Sequence, residues 1–470
     1  FHTPVGSVSV LPRLFRLGGA CLAACHLFAV VAAAAAPDFT VTELGRGTPV
    51  VLVVGGIQGD EPGGFSAAAL LATRYRFSQG TLRIVPNLNF PAIIQRSRGL
   101  HGDMNRKFAA LSPQDPEYAT VRRIQALITE PDVDIILNLH DGSGFYRPTR
   151  ESAMRNPDRW GQSVIIDQAV CPGVRFGQLE TLAQNVTADA NRHLLDAEHA
   201  LHVKNTHTGE GDAEMAKSLT WFALSHGKAA FGLEVSKNFG VAHRAYYHLR
   251  MVESFLDRTG VEFERDFPLT PEGITRALGS DVYVGFVNNR VVLPLDNARP
   301  MQAGSLPLPR GAENAISSSM PIVAVTTGKN VLQVHYGNNT VTSFRPDWLD
   351  TDDGLASVTV EVDGQPREVR FGDMIHAADS FRVASVPGYR VNAIGANKGR
   401  DESDITLRRR DFMPRYSVDK AGTTFRVEVY KDKLYAGTFM VRFGAPAVAV
   451  TTPLPPTLPA VKGKESDLGW

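Results

Sequence analysis

The stretch Val50-Val51-Leu52-Val53-Val54-Gly55-Gly56-Ile57-Gln58-Gly59-Asp60-Glu61-Pro62 decides how the chain is read. Five consecutive apolar residues predict a strand buried on both faces. The two glycines allow a sharp turn. The run from Pro62 to Tyr75, with Phe65, Ala68, Ala69 and Leu70, then reads as a helix. Such a unit puts Gln58 and Glu61 at the C-terminal edge of the strand, where open α/β sheets bind ligands. Three residues apart on a tight turn, both side chains can point into one site.

Outward from this unit, strands and helices alternate as far as Arg265. Strands are expected at Leu82–Val85, Val133–Leu139, Val164–Ile166 and Ala229–Val235. Helices are expected at Pro116–Thr129, Leu179–Leu195, Ala213–His226 and Val241–Leu256. The alternation predicts an α/β domain over residues 37–265, with a mixed, largely parallel sheet flanked by helices.

Beyond Arg265 the pattern changes to short alternating strands separated by Gly, Asn and Asp turns. Val282–Val287 and Arg290–Leu293 read as a hairpin, as do Val331–His335 and Thr340–Thr342. Further strands are expected from Val358 to Phe443. One or two small all-β domains are therefore predicted: a small β domain at 266–350 and a sandwich-like one at 351–445. Residues 446–470, with four prolines between Pro453 and Pro459, read as a mobile tail.

The length of 470 residues exceeds one ordinary core, and 43% hydrophobic with 21% charged residues is a globular composition. A formal net charge of zero argues against nucleic acid as a partner. Arg13 and Arg16 precede an apolar run from Leu17 to Val31, and Ala32–Ala36 supply small residues before Pro37. Residues 1–36 thus read as a secretory signal peptide, which implies a periplasmic protein. Leu22-Ala23-Ala24-Cys25 also has the look of a lipobox, although the apolar run continues past it. Cleavage after Ala36 would leave Cys171 alone, without a disulfide partner or a thiolate zinc cluster. No later stretch is long and apolar enough to span a bilayer.

Gln58 and Glu61 alone are either a ruined metal site or a variant one. A catalytic zinc needs three protein ligands and an open position. The apolar strand Ile135–Leu139 ends on His140 and is followed by the polar Asp141-Gly142-Ser143-Gly144. Taken singly, His140 reads as a hydrogen-bonded structural histidine; beside Gln58 and Glu61 it reads as the third ligand. Glu234 sits inside the apolar strand Phe231–Val235, where an unpartnered carboxylate is costly. It is either the general base of a hydrolytic site or half of a buried salt bridge. Arg96, Arg98, Asn105, Arg106 and Lys107 crowd one loop. Asn105 and Arg106 offer a donor fork suited to a carboxylate, whereas Arg98 and Lys107 read as solvated surface.

In order and spacing, Gln58-x-x-Glu61, Arg96, Asp103-Met104-Asn105-Arg106-Lys107-Phe108, His140 and Glu234 resemble the zinc metallocarboxypeptidase family. Its pattern is His-x-x-Glu, Arg, Asp-Leu-Asn-Arg-x-Phe, His and a late Glu. The resemblance covers roughly residues 45–260. It implies that Gln58, Glu61 and His140 hold zinc and that Arg96 polarises the scissile carbonyl. It also implies that Asn105 and Arg106 bind the terminal carboxylate and that Glu234 is the base. Glutamine at position 58 narrows the likeness to the peptidoglycan D,L-carboxypeptidases that set helical cell shape. These release meso-diaminopimelate from D-glutamate in the tripeptide stem of a muropeptide. Two alternatives stand beside this reading: a metal-free pseudo-carboxypeptidase binding cell-wall peptides, and an acylamino-acid deacylase of the same superfamily. Tyr146, Thr206 and Thr208 lie on loops near the expected pocket, without a clear counterpart of the family's pocket tyrosine. An amide oxygen is a weaker zinc donor than imidazole, and an acceptor behind Gln58 must hold its NH₂ to decide which end faces the metal.

Overall fold

The computed structural model describes residues 38–287, 289–300, 305–310 and 316–444. The leader expected over 1–36 and the tail expected over 446–470 lie outside the described residues. The strand Val50–Val54 is buried along its whole length. Val51, Leu52, Val53 and Val54 each have 0% exposure, and burying each stabilises the fold by about 1.5–3 kcal/mol. An aspartate at Val53 would put an unpaired charge there and break the sheet at its centre.

Two parallel neighbours flank this strand, Tyr75–Val85 on one side and Val133–Gly142 on the other. Ala229–Ser236 then pairs in parallel with Val133–Gly142. The sheet is mixed. Thr42–Arg46 and Glu262–Arg265 run antiparallel to Tyr75–Val85, and Ser163–Ile166 runs antiparallel to Ala229–Ser236. His202–Asn205 closes the far edge, parallel to Ser163–Ile166. The helices Pro62–Arg74, Leu179–Asn191 and Val241–Thr259 pack together over the sheet.

The turn after Val54 is shaped by close approach. Gly56 has φ +72°, and a Cβ on Gly59 would stand 2.1 Å from the Ala92 carbonyl. Gly59 N–H donates to Ser97 O at 2.9 Å, which ties the Gln58 turn to the loop after the short helix Phe90–Ile94.

The expected helix Ala213–His226 is two pieces, a 3-10 turn at Met215–Lys217 and a helix at Leu219–Ser225. Ser218 is extended, and its Oγ accepts from Trp221 N–H as an N-cap, so a new helix starts there.

Two sheets follow the large mixed sheet. Tyr283–Phe286 lies between Val291–Pro294 and Ile316–Ser318; the other sheet is ordered Ser305–Pro309, Asn339–Leu349, Val331–Tyr336, Val323–Gly328. Their apolar residues, Val284, Phe286, Leu306 and Phe344 among them, belong to the same core as the large mixed sheet. Two four-stranded sheets between Ser357 and Phe443 enclose a separate core that includes Val360, Phe381, Phe425 and Phe439.

Candidate active site

A cleft of about 230 Å³ opens at the C-terminal ends of the strands Val50–Val54, Val133–Gly142 and Ala229–Ser236. Gln58, Glu61, Asn105, Arg106, His140 and Glu234 all line it. A larger depression of about 350 Å³ around Cys171 is lined by apolar groups, amides, one hydroxyl and one thiol, and supplies no acid–base pair.

His140 Nδ1 lies 3.1 Å from Gln58 Oε1 and 3.0 Å from Glu61 Oε2. All three residues are buried. Gln58 Nε2 donates to Asp103 Oδ1 at 2.7 Å, so the amide oxygen is the end that faces Glu61 and His140. Asp103 also takes Arg98 at 3.0 Å and the Asn105 N–H at 3.0 Å. Burial opposes ionisation of Asp103, but the Gln58 and Arg98 bonds win and hold its pKa below the ordinary carboxylate range. Burial likewise opposes a charge on His140, and the hydrogen-bonded Glu61 carboxylate raises its pKa all the same.

Behind the ligand-like set, Asp141 N–H donates to Glu61 Oε2 at 3.1 Å. The Asp141 carboxylate accepts from Gly63 N–H at 2.8 Å, Arg244 at 3.0 Å and His248 Nε2 at 3.1 Å. This network fixes the Glu61–Pro62 turn against the end of the His140 strand. Among the described residues no three His, Cys, Asp or Glu side chains converge. The convergent set here carries an amide in one place, one nitrogen and two oxygen donors in all, and these are the side chains that could hold a metal.

Glu234 stands beside His140 in the sheet register. Its Oε2 is buried without a hydrogen-bond partner, and it forms no ion pair among the described residues. Desolvation pushes its pKa up to about 7; His140 counters this, and the nearby Glu61 and Asp141 carboxylates add to the rise. A Cβ on Gly142 would stand 2.5 Å from Glu234 Oε2, so the glycine makes the room that the carboxylate occupies.

Arg96 departs from the expected role. Its backbone has φ +54°, and its side chain turns away from the cleft to Asn338 O and to Asn339 Oδ1 at 2.6 Å. Arg98 lines the cleft instead, 3.3 Å from Glu61 Oε1, where the sequence reading left it on the surface. Lys107 is buried in an ion pair with Asp115 and Glu117, both at 2.8 Å, rather than solvated. Asn105 Oδ1 accepts from Leu219 N–H at 2.9 Å, a bond made available by the helix start after Ser218. Arg106 lies at the rim, where one terminal nitrogen donates to Asn105 O at 2.9 Å and Nε stands 3.7 Å from Glu214 Oε2.

Sequence reasoning missed Lys237, which lines the cleft and reaches Asp60 at 2.8 Å and Glu61 at 3.3 Å. It also gave Asp103 no part, although Asp103 stands inside the Asp-Met-Asn-Arg run. Tyr146 lies against Lys204, with the Nζ 4.9 Å from the ring centre, and does not line the cleft. Thr206 and Thr208 hydrogen-bond the buried Asp167.

Residues 14–278 match the family model described as the catalytic domain of the carboxypeptidase controlling helical cell shape. The chain belongs to this family. Residues 351–444 match the model for the C-terminal domain of the metallo-carboxypeptidase. Among solved structures, the ligand-free cell shape determinant protein Csd4 of Helicobacter pylori is similar, with 36% identity and a TM-score of 0.78 over 86% of this chain and 100% of that one. The form of Csd4 bound to mDAP, described as a D,L-carboxypeptidase, matches at 36% identity and a TM-score of 0.78 over 85% and 99%. An N-alpha-acetyl-L-2,4-diaminobutyric acid deacetylase of Halomonas elongata is 36% identical over 111 residues. That match spans 22% of this chain and 31% of the deacetylase.

Proposed function

We propose that this chain is an exported zinc D,L-carboxypeptidase. It trims the tripeptide stem of peptidoglycan by releasing meso-diaminopimelate from D-glutamate, and so acts on cell shape in the periplasm. The observation that carries the reading is the Gln58 amide. Asp103 turns it so that its oxygen lies 3.1 Å from His140 Nδ1, with Glu61 Oε2 3.0 Å from the same nitrogen. A glutamine used in this way is a donor, not a relic. When bound, zinc acidifies a water molecule and polarises the scissile carbonyl.

The chain's own residues do the rest. Glu234 takes the proton of the attacking water and passes it to the leaving amine. Its enclosure and lack of a partner keep it a strong enough base to accept that proton near neutral pH. Arg106 and Asn105 receive the terminal carboxylate, and Arg98 lies where charge develops on the carbonyl oxygen. Lys237 and Arg98 together offset the Glu61 charge and keep the cleft receptive to an anionic peptide.

The relative bound to mDAP supports the choice of substrate. The test is digestion of a muramyl tripeptide by the zinc-loaded protein with the products weighed. Free meso-diaminopimelate is expected; an intact tripeptide beside a hydrolysed N-acetyl-diaminobutyrate would favour the deacylase reading that the Halomonas likeness supports.

A further inference from the structure

We propose that Asn138 sets the tautomer of His140, so that the Nδ1 lone pair is open toward Gln58 and Glu61. The inference rests on the reading of His140 as a metal ligand through Nδ1.

The two ring nitrogens of His140 face different surroundings. Nδ1 faces the oxygens of Gln58 and Glu61. Nε2 faces two amides: Asn138 Nδ2 at 2.8 Å and Asn105 Nδ2 at 3.5 Å. A neutral imidazole carries one proton, and a ligating nitrogen must be the bare one. Ligation through Nδ1 therefore puts the proton on Nε2, and that N–H needs an acceptor. Asn105 is held the wrong way round, because its Oδ1 already accepts from Leu219 N–H at 2.9 Å.

Asn138 is the residue with an acceptor to spare. It has 0% exposure, and its Oδ1 is buried with no hydrogen-bond partner. A half-turn of the planar amide exchanges Oδ1 for Nδ2 in almost the same volume. It gives the orphaned oxygen a partner and Nε2–H its acceptor in one step, and moves the NH₂ to the place the oxygen leaves. The opposite orientation is also self-consistent: Asn138 Nδ2 donates to a bare Nε2, and a protonated Nδ1 donates to Glu61 Oε2 at 3.0 Å. The amide of Asn138 thus has two positions, one matched to each tautomer. One closes Nδ1 with a proton and the other opens it. Asn138 is a positioning residue, acting through His140.

Leucine nearly matches the shape of asparagine without the acceptor, and aspartate keeps an acceptor oxygen. Zinc affinity of wild type, Asn138→Asp, Asn138→Leu and His140→Ala is to be measured by competition with a chromophoric chelator. Long-range ¹H–¹⁵N spectra of histidine-labelled, zinc-loaded protein report the tautomer, with His140→Ala assigning the signal among the 13 histidines. Expected are a protonated Nε2 in wild type, affinity within about threefold of wild type in Asn138→Asp, and affinity about 10–100-fold weaker in Asn138→Leu. An unprotonated Nε2 in zinc-loaded wild type would overturn the inference, and that reading needs no variant to fold. Equal affinities of Asn138→Leu and wild type, or equal losses in the Leu and Asp variants, would also overturn it. Loss of zinc in His140→Ala beside unchanged binding in Asn138→Leu would leave the metal site and remove Asn138. Undiminished zinc binding by His140→Ala would remove both.

Discussion

Asp103 is the place to test whether the glutamine is held or merely present. Its carboxylate takes three bonds: Gln58 Nε2 at 2.7 Å, Arg98 at 3.0 Å and Asn105 N–H at 3.0 Å. A hydrogen bond to a charged group contributes about 1.5–3 kcal/mol. Of the three, the Gln58 bond alone selects which end of the amide faces Glu61 and His140. Asp103→Ala removes that bias, and the amide can then offer its NH₂ to a cation. At about 1.4 kcal/mol per decade, the loss corresponds to about 10–100-fold in zinc affinity. Asp103→Ala also disturbs Arg98 and Asn105, so the single variant is not enough. Gln58→His supplies the control, because imidazole is the better zinc donor and has no amide end to choose. By itself Gln58→His is expected to keep or tighten zinc binding. In its background, Asp103→Ala should cost less than it does in wild type, and the shared disturbance cancels in the double-mutant cycle. The assay is chelator competition on all four proteins, with a thermal melt to verify folding. Equal losses in both backgrounds would refute the claim that Asp103 acts by holding Gln58.

Glu234→Gln should retain zinc and substrate binding while turnover falls by about 10²–10⁴-fold. A base works only when ionised, so kcat/KM should fall as the pH drops through the Glu234 pKa; bound zinc favours the ionised form, which sets the acid limb between the ordinary glutamate value and about 7. An acid limb unchanged in the residual activity of Glu234→Gln would assign it to another group. Arg106→Ala should raise KM for the tripeptide by about one to two decades and erase the preference for a free carboxylate over an amidated end. Arg98→Ala should lower turnover, whereas Arg96→Ala should leave both constants near wild type, since Arg96 faces Asn338 and Asn339; steady-state kinetics on the tripeptide and its amide decides all three. Sequencing the mature protein should find its N-terminus near Pro37 or at a lipidated Cys25, and a working protein that retains Arg13 and Arg16 would rule out both.

The catalytic layer was legible because its signals are local. An unbroken run such as Val50–Val54 is buried on both faces wherever it stands, and the glycines after it mark a turn. Strand direction is another matter. Ser163–Ile166 is as buried as Val50–Val54, yet it runs antiparallel to Ala229–Ser236, and nothing in a burial pattern encodes that. The break at Ser218 had a signal, a serine three residues before Trp221 with an apolar run behind it. Helical periodicity across Ala213–His226 masked it.

The exchange of Arg96 for Arg98 shows what spacing leaves out. The two arginines are separated by one residue, and in an extended loop both would face the same way; the left-handed backbone at Arg96, φ +54°, breaks that alternation. Arg98 faces the cleft, and the Arg96 side chain finds its partners far along the chain. The turn Gly337–Asn339 of the second β sheet seats on the catalytic layer, where a Cβ on Gly337 would stand 2.8 Å from Phe65 Cε2. Asn338 and Asn339 in that turn take the Arg96 guanidinium, and Asn87 donates to Pro321 O at 2.7 Å beside it. Phe65 follows Glu61 by four residues, on the helix that begins at Pro62. The β sheet therefore braces both the helix that begins just after Glu61 and the loop that carries Arg98 and Asp103. The partners that hold Arg96 stand over 240 positions away, so no window around Arg96 could have contained them.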